Sequence, residues 1–564
     1  MAARYNDQLR QALRSGLIAG VITLSVSAIG LVRLFAEREL VAGVVTMGQI
    51  LIYAPTALLV SINLRKMERS PRRVLLAGLL AGAVSALPLI VLIVFESLVD
   101  LRQFMPNISP ELVEILDFGL GPVVGSLALV GAMGLVGIAA GAFHILPDHI
   151  ERPILQGVIW TLVVGLFSEI ISGRLRDFFG AGFSRLLFTG KALRPLFALI
   201  LFVAITFGVR YWAIRGARMR EDISQLPPAR QRRIRLGIRG AILVFLFILP
   251  ILLGTYLSEV ANNVGIFILM GLGLNIVVGF AGLLDLGYVA FFAIGAYSMA
   301  VLTSESPLGL GGLTFWEALP FCLLIAAAAG IVLGIPVLRM RGDYLAIVTL
   351  GFGEIIRILA LSDLLKPFIG GAQGVLKIPK PPFLGLSLIK PEQFYYVILA
   401  GCLLAAFVSW RLSESRLGRQ WMALREDEDV AEAMGIKLVS TKLLAFAIGA
   451  AFSGLAGAFF ASKLTSIFPH SFKLEISINV LVLIILGGMG SLPGVVVGAL
   501  ILVGMPELLR EFAEYRLLMY GALLIVMMLA KPEGFIPSAV RRRELHREEA
   551  ELALDQAAVL EAGD

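Results

Sequence analysis

Apolar runs of about twenty residues, separated by short charged connections, set the rhythm of this chain, and that length is what a helix needs to cross the hydrocarbon core of a bilayer. They fall at about 16–36, 40–62, 74–95, 119–143, 154–172 and 194–214, then at about 241–258, 262–279, 287–303, 318–338, 345–361, 394–412, 443–463 and 515–530. Between the two groups lies an arginine-rich stretch from Arg215 to Arg239 with Pro227-Pro228 in its middle, the composition of a linker. The pattern predicts an all-α, polytopic transmembrane helical bundle of about 14–16 spans, with one or two broken or re-entrant helices in its core. Three regions follow: a membrane region of about six helices over 1–230, a second membrane region over 231–540, and a charged, helix-prone tail over 541–564.

Charge sorts the connections. Basic residues collect in cytoplasmic loops, so both chain ends, the segment Asn63 to Arg73 and the linker 215–239 are expected on the cytoplasmic side. The segment 96–118 then lies outside, where the stripe Leu112-Val113-Ile115-Leu116 reads either as an interfacial helix or as core packing. Gly173 to Arg194, with Arg174, Arg176, Arg185 and Lys191, is a misfit on that outer side. In the second region the alternation places Arg339, Arg341 and the loop 416–442 in the cytoplasm. A single span over 476–508 would strand Arg541-Arg542-Arg543 outside, so this segment is expected to turn back at Gly487-Gly488-Met489-Gly490-Ser491-Leu492-Pro493-Gly494, residues that end helices. Either a re-entrant hairpin or two short spans satisfies this.

A similar interruption runs from Gly279 to Gly287, a few residues after Asn275 as the later one follows Asn479. Irregular backbone at membrane depth persists only where protein or a water-filled cavity covers it, and paired interruptions point to a transporter's binding site. Polar residues within apolar runs carry the same implication. Together these features mark Asn275, Gly282, Asp285, Asn479, Gly488 and Gly490 as candidate translocation-pathway residues, with Ser477 beside them; the competing reading is a simple packing kink. Glu354 and Arg357, three residues apart, read as a pair that neutralises itself on one helix face.

The segment Arg416 to Lys442 departs from the apolar rhythm. Leu417, Trp421 and Leu424 recur at helical spacing with Arg416, Arg419, Arg425 and Glu426 off that face, which predicts an amphipathic helix lying on a surface. The acidic block Glu426 to Asp429 and the later Gly435 frame a short second helix over about Asp427 to Met434, since anions suit a helix start and glycine its end. An ordinary solvated connection is the bland alternative.

Composition narrows the function classes. With 58% apolar and 16% charged residues the chain is far from the soluble average of about a quarter charged. The excess of 48 Lys and Arg over 41 Asp and Glu belongs to loops, and no basic patch interleaved with aromatics suggests nucleic acid. Cys322 and Cys402 sit in apolar runs, and His144, His149, His470 and His546 are scattered, so neither a disulfide framework nor a metal set is expected. No phosphate-binding loop is present: Gly190-Lys191-Ala192 lacks the spacing and the hydroxyl. The N-terminus lacks a convincing cleavage site and reads as a retained span. No catalytic residues and no cofactor in this chain are expected.

Four stretches, in order, resemble the M-type subunit of the branched-chain (hydrophobic) amino acid permeases of bacterial ABC importers. They are Gly273 to Gly279 with Phe291 to Tyr297, Arg341 to Glu354, Gly418 to Gly457, and Asn479 to Gly494. The resemblance covers residues from about 240 to 535 and leaves the first 240 without a role. It implies a permease core moving a hydrophobic amino acid through a path opened by ATP hydrolysis on separate subunits. It further implies ATPase coupling through Trp421, Leu424, Arg425, Asp427, Glu432, Ala433 and Gly435, with the apolar stripe in a groove of the ATPase. The implied partners are an H-type permease, two ABC ATPases and a soluble substrate-binding protein facing the Gly- and Pro-rich loop Ser362 to Pro391, all at a bacterial cytoplasmic membrane. Since nothing in the chain was seen to resemble the H-type permease, that partner is expected as a separate chain. A urea or short-amide permease of the same family and, in another class, a secondary transporter are the alternatives; a membrane-embedded enzyme lacks the clustered groups it would need.

Overall fold

The computed structural model describes residues 2–65, 70–99, 101–103, 105–225, 227–337, 340, 343–383, 386–508, 521, 524–525, 531 and 533–538. Arg339, Arg341, most of the expected span at 515–530 and the tail from Arg541 lie outside the described residues. Among the described residues, 11 helices are long and apolar enough to cross a membrane, and two apolar helices, Val289–Thr303 and Leu492–Leu508, are shorter. The protein is a polytopic helical bundle, in which strands are confined to pieces of two or three residues. Two compact units divide at Gly240.

In the first unit the helices Pro71–Ser85 and Pro122–Ile145 touch backbone to backbone, because a Cβ on Gly78 would lie 2.4 Å from the Gly137 carbonyl oxygen. Lipid offers no hydrophobic drive between helices, so such close contact supplies the packing energy. Strands β1 (Glu39–Val41), β2 (Val45–Thr46), β3 (Phe188–Thr189) and β4 (Ala192–Leu193) form one small sheet in the order β2-β1-β4-β3. That sheet, with Asn107 Nδ2 donating to the Ile29 carbonyl at 2.7 Å and Arg33 paired with Glu111, gathers the connections 29–46, 101–111 and 188–193 at one end. Arg65 paired with Glu151 ties two connections at the other end. The connections therefore alternate between the two ends of this unit.

Two expectations change here. The expected span at 154–172 stops at Leu166, where the chain bends by 72° into Ser168–Leu187, and the basic residues of the misfit segment find local partners: Lys191 pairs with Glu169 at 2.8 Å and Arg174 with Asp177 at 3.2 Å. The stripe at 112–116 is core, with Leu112 and Leu116 fully buried.

The expected spans at 241–258 and 262–279 fall on two helices joined at a kink within Pro228–Leu274, where Pro250 stands and Gly254 leaves helical geometry at φ 65°. In the second unit the 27-residue helix Leu438–Leu464 is central, with Phe315–Val337 and Val289–Thr303 packed on it. At 1.5 Å per residue it spans about 40 Å, which defines two ends. One end holds 304–306, 375–377 and 465–467, joined by the paired Val375 and Ile467 and by Ser304 Oγ donating to the Leu376 carbonyl at 2.6 Å. The other holds the loop 416–437.

Candidate functional site

Both interruptions are turns of helical hairpins, and the two turns meet. The long helix ends in a π-helical turn, Asn275–Phe280, and the chain returns through Val289–Thr303. Leu474–Gly487 ends at Gly488 to Ser491 and the chain returns through Leu492–Ala499, its legs in backbone contact where Gly487 faces Gly494 and Leu483 faces Gly498. Positive φ at Gly282 (72°), Gly488 (115°) and Gly490 (77°) is what these turns demand and what a side chain resists. The return leg Val289–Thr303, of 15 residues, reaches only about 23 Å, short of the ~30 Å of hydrocarbon.

At the junction Gly490 N–H donates to Asn275 Oδ1 at 2.8 Å, joining residues 215 apart in sequence, while Asn275 Nδ2 has no partner among the described residues. Asp285 is fully buried; one oxygen accepts from Gly287 N–H at 2.9 Å and the other has no partner among the described residues. Ser477 Oγ accepts from Val289 N–H at 2.8 Å, so one hairpin caps the return helix of the other. Phe535 and Ile536 N–H groups donate to the carbonyls of Leu486 and Gly487, both at 2.9 Å, which brings 534–538 to the same end as the loop 416–437. Asn479 stands apart from this junction, exposed beside Ile478 on the free face of its helix. Glu354 and Arg357 do bond each other, Arg357 Nε to Glu354 Oε1 at 2.9 Å.

The loop packs against the first of these turns. Helix Arg416–Glu426 starts at Ser415, whose side chain accepts from Gly418 N–H, and its apolar stripe packs inward. Trp421 is 0% and Leu424 2% exposed, and Trp421 Nε1 donates to the Thr441 carbonyl at 2.8 Å. This overturns the expectation that the stripe lies in a partner's groove: its own chain fills that role. At the end of this helix Arg425 Nη1 donates to the Gly279 carbonyl at 2.8 Å, an oxygen at the end of the π-helical turn, and a Cβ on Gly282 would meet Arg425 Cγ at 2.8 Å.

The second helix, Glu428–Ala433, is framed as its residues suggest. Asp427 Oδ1 accepts from the N–H groups of Asp429 and Val430, and beyond Met434 the left-handed Gly435 (φ 87°) lets Ile436 N–H reach the Ala431 carbonyl at 3.1 Å. Ala431 is buried, and Lys442, itself buried, pairs with Glu428 at 2.7 Å, so the helix is held against the chain on one side. Its other side is open: Glu432, Ala433 and Gly435 are exposed, and Val430 (58%) and Met434 (80%) present an apolar pair four residues apart. These two were missed in the sequence, although exposed apolar residues at i and i+4 on a capped helix are the signal to seek. Among the described residues no group of three or more His, Cys, Asp or Glu could hold a metal ion.

A multi-pass permease subunit is the class this bundle defines. Residues 256–529 match the family described as branched-chain amino acid transport system / permease component. The chain is 43% identical over 320 residues to the high-affinity branched-chain amino acid transport system permease protein LivM of Salmonella typhimurium and, at the same identity, of Escherichia coli, covering 53% of this chain and 74% of each relative. It is also 24% identical over 302 residues to the permease LivH of Salmonella typhimurium, covering 50% of this chain and 95% of that one. The chain belongs to the branched-chain amino acid ABC permease family and is of the M type. The likeness to LivH corrects the expectation that nothing here resembles an H-type permease. No solved structure matches the chain.

Proposed function

We propose that the second unit is the permease core of an ATP-driven importer for branched-chain amino acids, with the two hairpin turns acting as its gate. The observation that carries this reading is the bond from Arg425 to the Gly279 carbonyl, because it ties the gate to the end of helix Arg416–Glu426, which passes through Asp427 into the helix that bears an exposed apolar pair. An ATPase holding Val430 and Met434 would move Glu428–Ala433 as a lever, the helix-in-groove mode. Arg425 would pull on the first turn, and Asn275 would pass the motion to the second through Gly490. Opening would uncover Asn275 Nδ2 and Asp285 Oδ2, a donor and an acceptor that a zwitterionic ligand can satisfy. Ile478 and Asn479 would face the second permease, whose resemblance to this chain suits a path shared between two related subunits.

The test is to copurify the tagged chain with its neighbours from a bacterial cytoplasmic membrane and measure uptake of labelled leucine in vesicles. The expected result is a second permease, ATPases and a binding protein, with ATP-dependent uptake competed by isoleucine and valine. Uptake driven by an ion gradient without ATP would instead support a secondary transporter, and competition by urea an amide permease.

A further inference from the structure

The first unit carries a basic cavity that the permease reading does not use. It has a volume of about 740 Å³, lies between Asp148–Leu166 and Pro195–Gln225, and is lined by His149, Arg152, Gln156 and Arg210 above Val209 and Ile214. Its cause is visible in the packing. The two helices touch at Gly157, where a Cβ would lie 2.3 Å from Thr206 Oγ1 and 3.1 Å from the Phe202 ring, and the cavity opens beside this contact, toward the ends that carry the basic residues.

Among the described residues that line the cavity there is no carboxylate. Glu151, the acidic neighbour in sequence with a described side chain, is turned away and paired with Arg65. Two guanidiniums and an imidazole therefore converge with a neutral amide, and a planar guanidinium fork suits the oxygens of a phosphate. Below the cavity the helix from Pro195 to Gly216 is apolar and almost wholly exposed, with Val203 and Phe207 outward, while Tyr211, Trp212 and Arg215 ring its upper end. Aromatic and basic residues at the end of an apolar span mark the headgroup level of a bilayer.

We propose that this cavity binds the phosphate of an anionic phospholipid, with its acyl chains lying along the exposed apolar face below. A phosphate beside Arg152 and Arg210 gains charge-assisted hydrogen bonds, and the alkyl tails cover side chains that the protein leaves bare. Basic pockets between membrane helices recognise such headgroups by the same physics. The first unit then acts as a lipid-anchored body, and free inorganic phosphate, which lacks the tails, binds far more weakly.

The test uses the full chain, delipidated in detergent and titrated with phosphatidylglycerol or phosphatidylcholine, with bound lipid counted by native mass spectrometry. Phosphatidylglycerol is expected to bind and the zwitterionic lipid to be discriminated against. Arg152→Ala with Arg210→Ala should lower affinity about ten-fold or more, the scale of one lost charge-assisted bond. The pair Arg152→Lys and Arg210→Lys keeps the charge without the fork and should recover part of the loss, and an unchanged elution volume of both double variants checks that the fold survives. Equal lipid retention by the double alanine variant, or equal binding of both lipids, overturns the proposal. Displacement of the lipid by millimolar inorganic phosphate overturns the lipid source and leaves a site for a soluble phosphate.

Discussion

Two helices separated by a single residue, Asp427, meet opposite fates. Arg416–Glu426 has the stronger apolar stripe and packs it against its own chain, with Trp421 and Leu424 buried and Leu417 half-buried; Glu428–Ala433 has a weak stripe and leaves Val430 and Met434 in the open. Periodicity reveals that a face will be covered and not by what. The stronger stripe is needed at home, because the return leg Val289–Thr303, of 15 residues, falls short of the hydrocarbon and the turn before it is covered by Arg416–Glu426. The weaker stripe is what remains for a partner.

The sharpest way to break this comparison is to place a carboxylate on each helix. Trp421→Asp removes a fully buried indole and puts a charge among Leu424, Ala445 and their neighbours. The cost is on the order of 5 kcal/mol, from the lost packing and the desolvated charge. The variant should accumulate poorly and aggregate on size-exclusion chromatography. Normal amounts of monodisperse Trp421→Asp protein would show that the stripe is not a structural face.

Val430→Asp with Met434→Asp should do the reverse. Both side chains are exposed in this chain, so the protein should fold with stability changed by less than about 0.5 kcal/mol. Recovery of ATPase subunits in a pull-down should fall about a hundred-fold or more, as it does when central apolar anchors are replaced by charge. Undiminished recovery would move the docking surface elsewhere.

How far the sequence disclosed this site depends on the range of each contact. The cap by Asp427, the left-handed Gly435 and the turns at Gly282 and Gly490 were legible, because each is set by residues within a turn of one another. Helix pairing over Glu354 and Arg357 was legible for the same reason. The bonds Arg425 to Gly279 and Gly490 to Asn275, and the Ser477 cap on Val289, join residues 146, 215 and 188 apart. No local pattern encodes these, and the same limit sent the Trp421 stripe to the wrong partner. The span at 154–172 failed through a different cause: the bend between Leu166 and Ser168 carries no proline, and glycine is one residue too early.

A smaller effect separates the two helices from the gate. Arg425→Ala removes a charge-assisted hydrogen bond from a part-buried guanidinium, about 1.5–3 kcal/mol of coupling. ATPase recovery should be unchanged while transport falls about ten-fold or more, and Arg425→Lys should restore little because a single ammonium lacks the reach and the fork. Equal transport by Arg425→Ala would remove the mechanical link between helix and turn.

The finest distinction lies between the two turn glycines. Alanine at Gly282 or at Gly490 forces a side chain into positive φ, a strain of about 1–2 kcal/mol at either place. The surroundings differ: at Gly282 the new methyl meets Arg425 Cγ at 2.8 Å, whereas at Gly490 its nearest neighbours are 3.6 Å away, an ordinary contact. Gly282→Ala therefore acts partly by displacing Arg425 from the Gly279 carbonyl, and Gly490→Ala only by straining its own turn. In a double-mutant cycle on transport, Gly282→Ala should lose part of its effect once Arg425 is already alanine, by about 0.5 kcal/mol or more, because the same link cannot be broken twice. Gly490→Ala should add its cost unchanged in that background. If both glycines add independently of Arg425, the guanidinium does not transmit motion to the first turn and the two interruptions are packing contacts; if both couple to it equally, the two turns move as one rigid gate through Asn275.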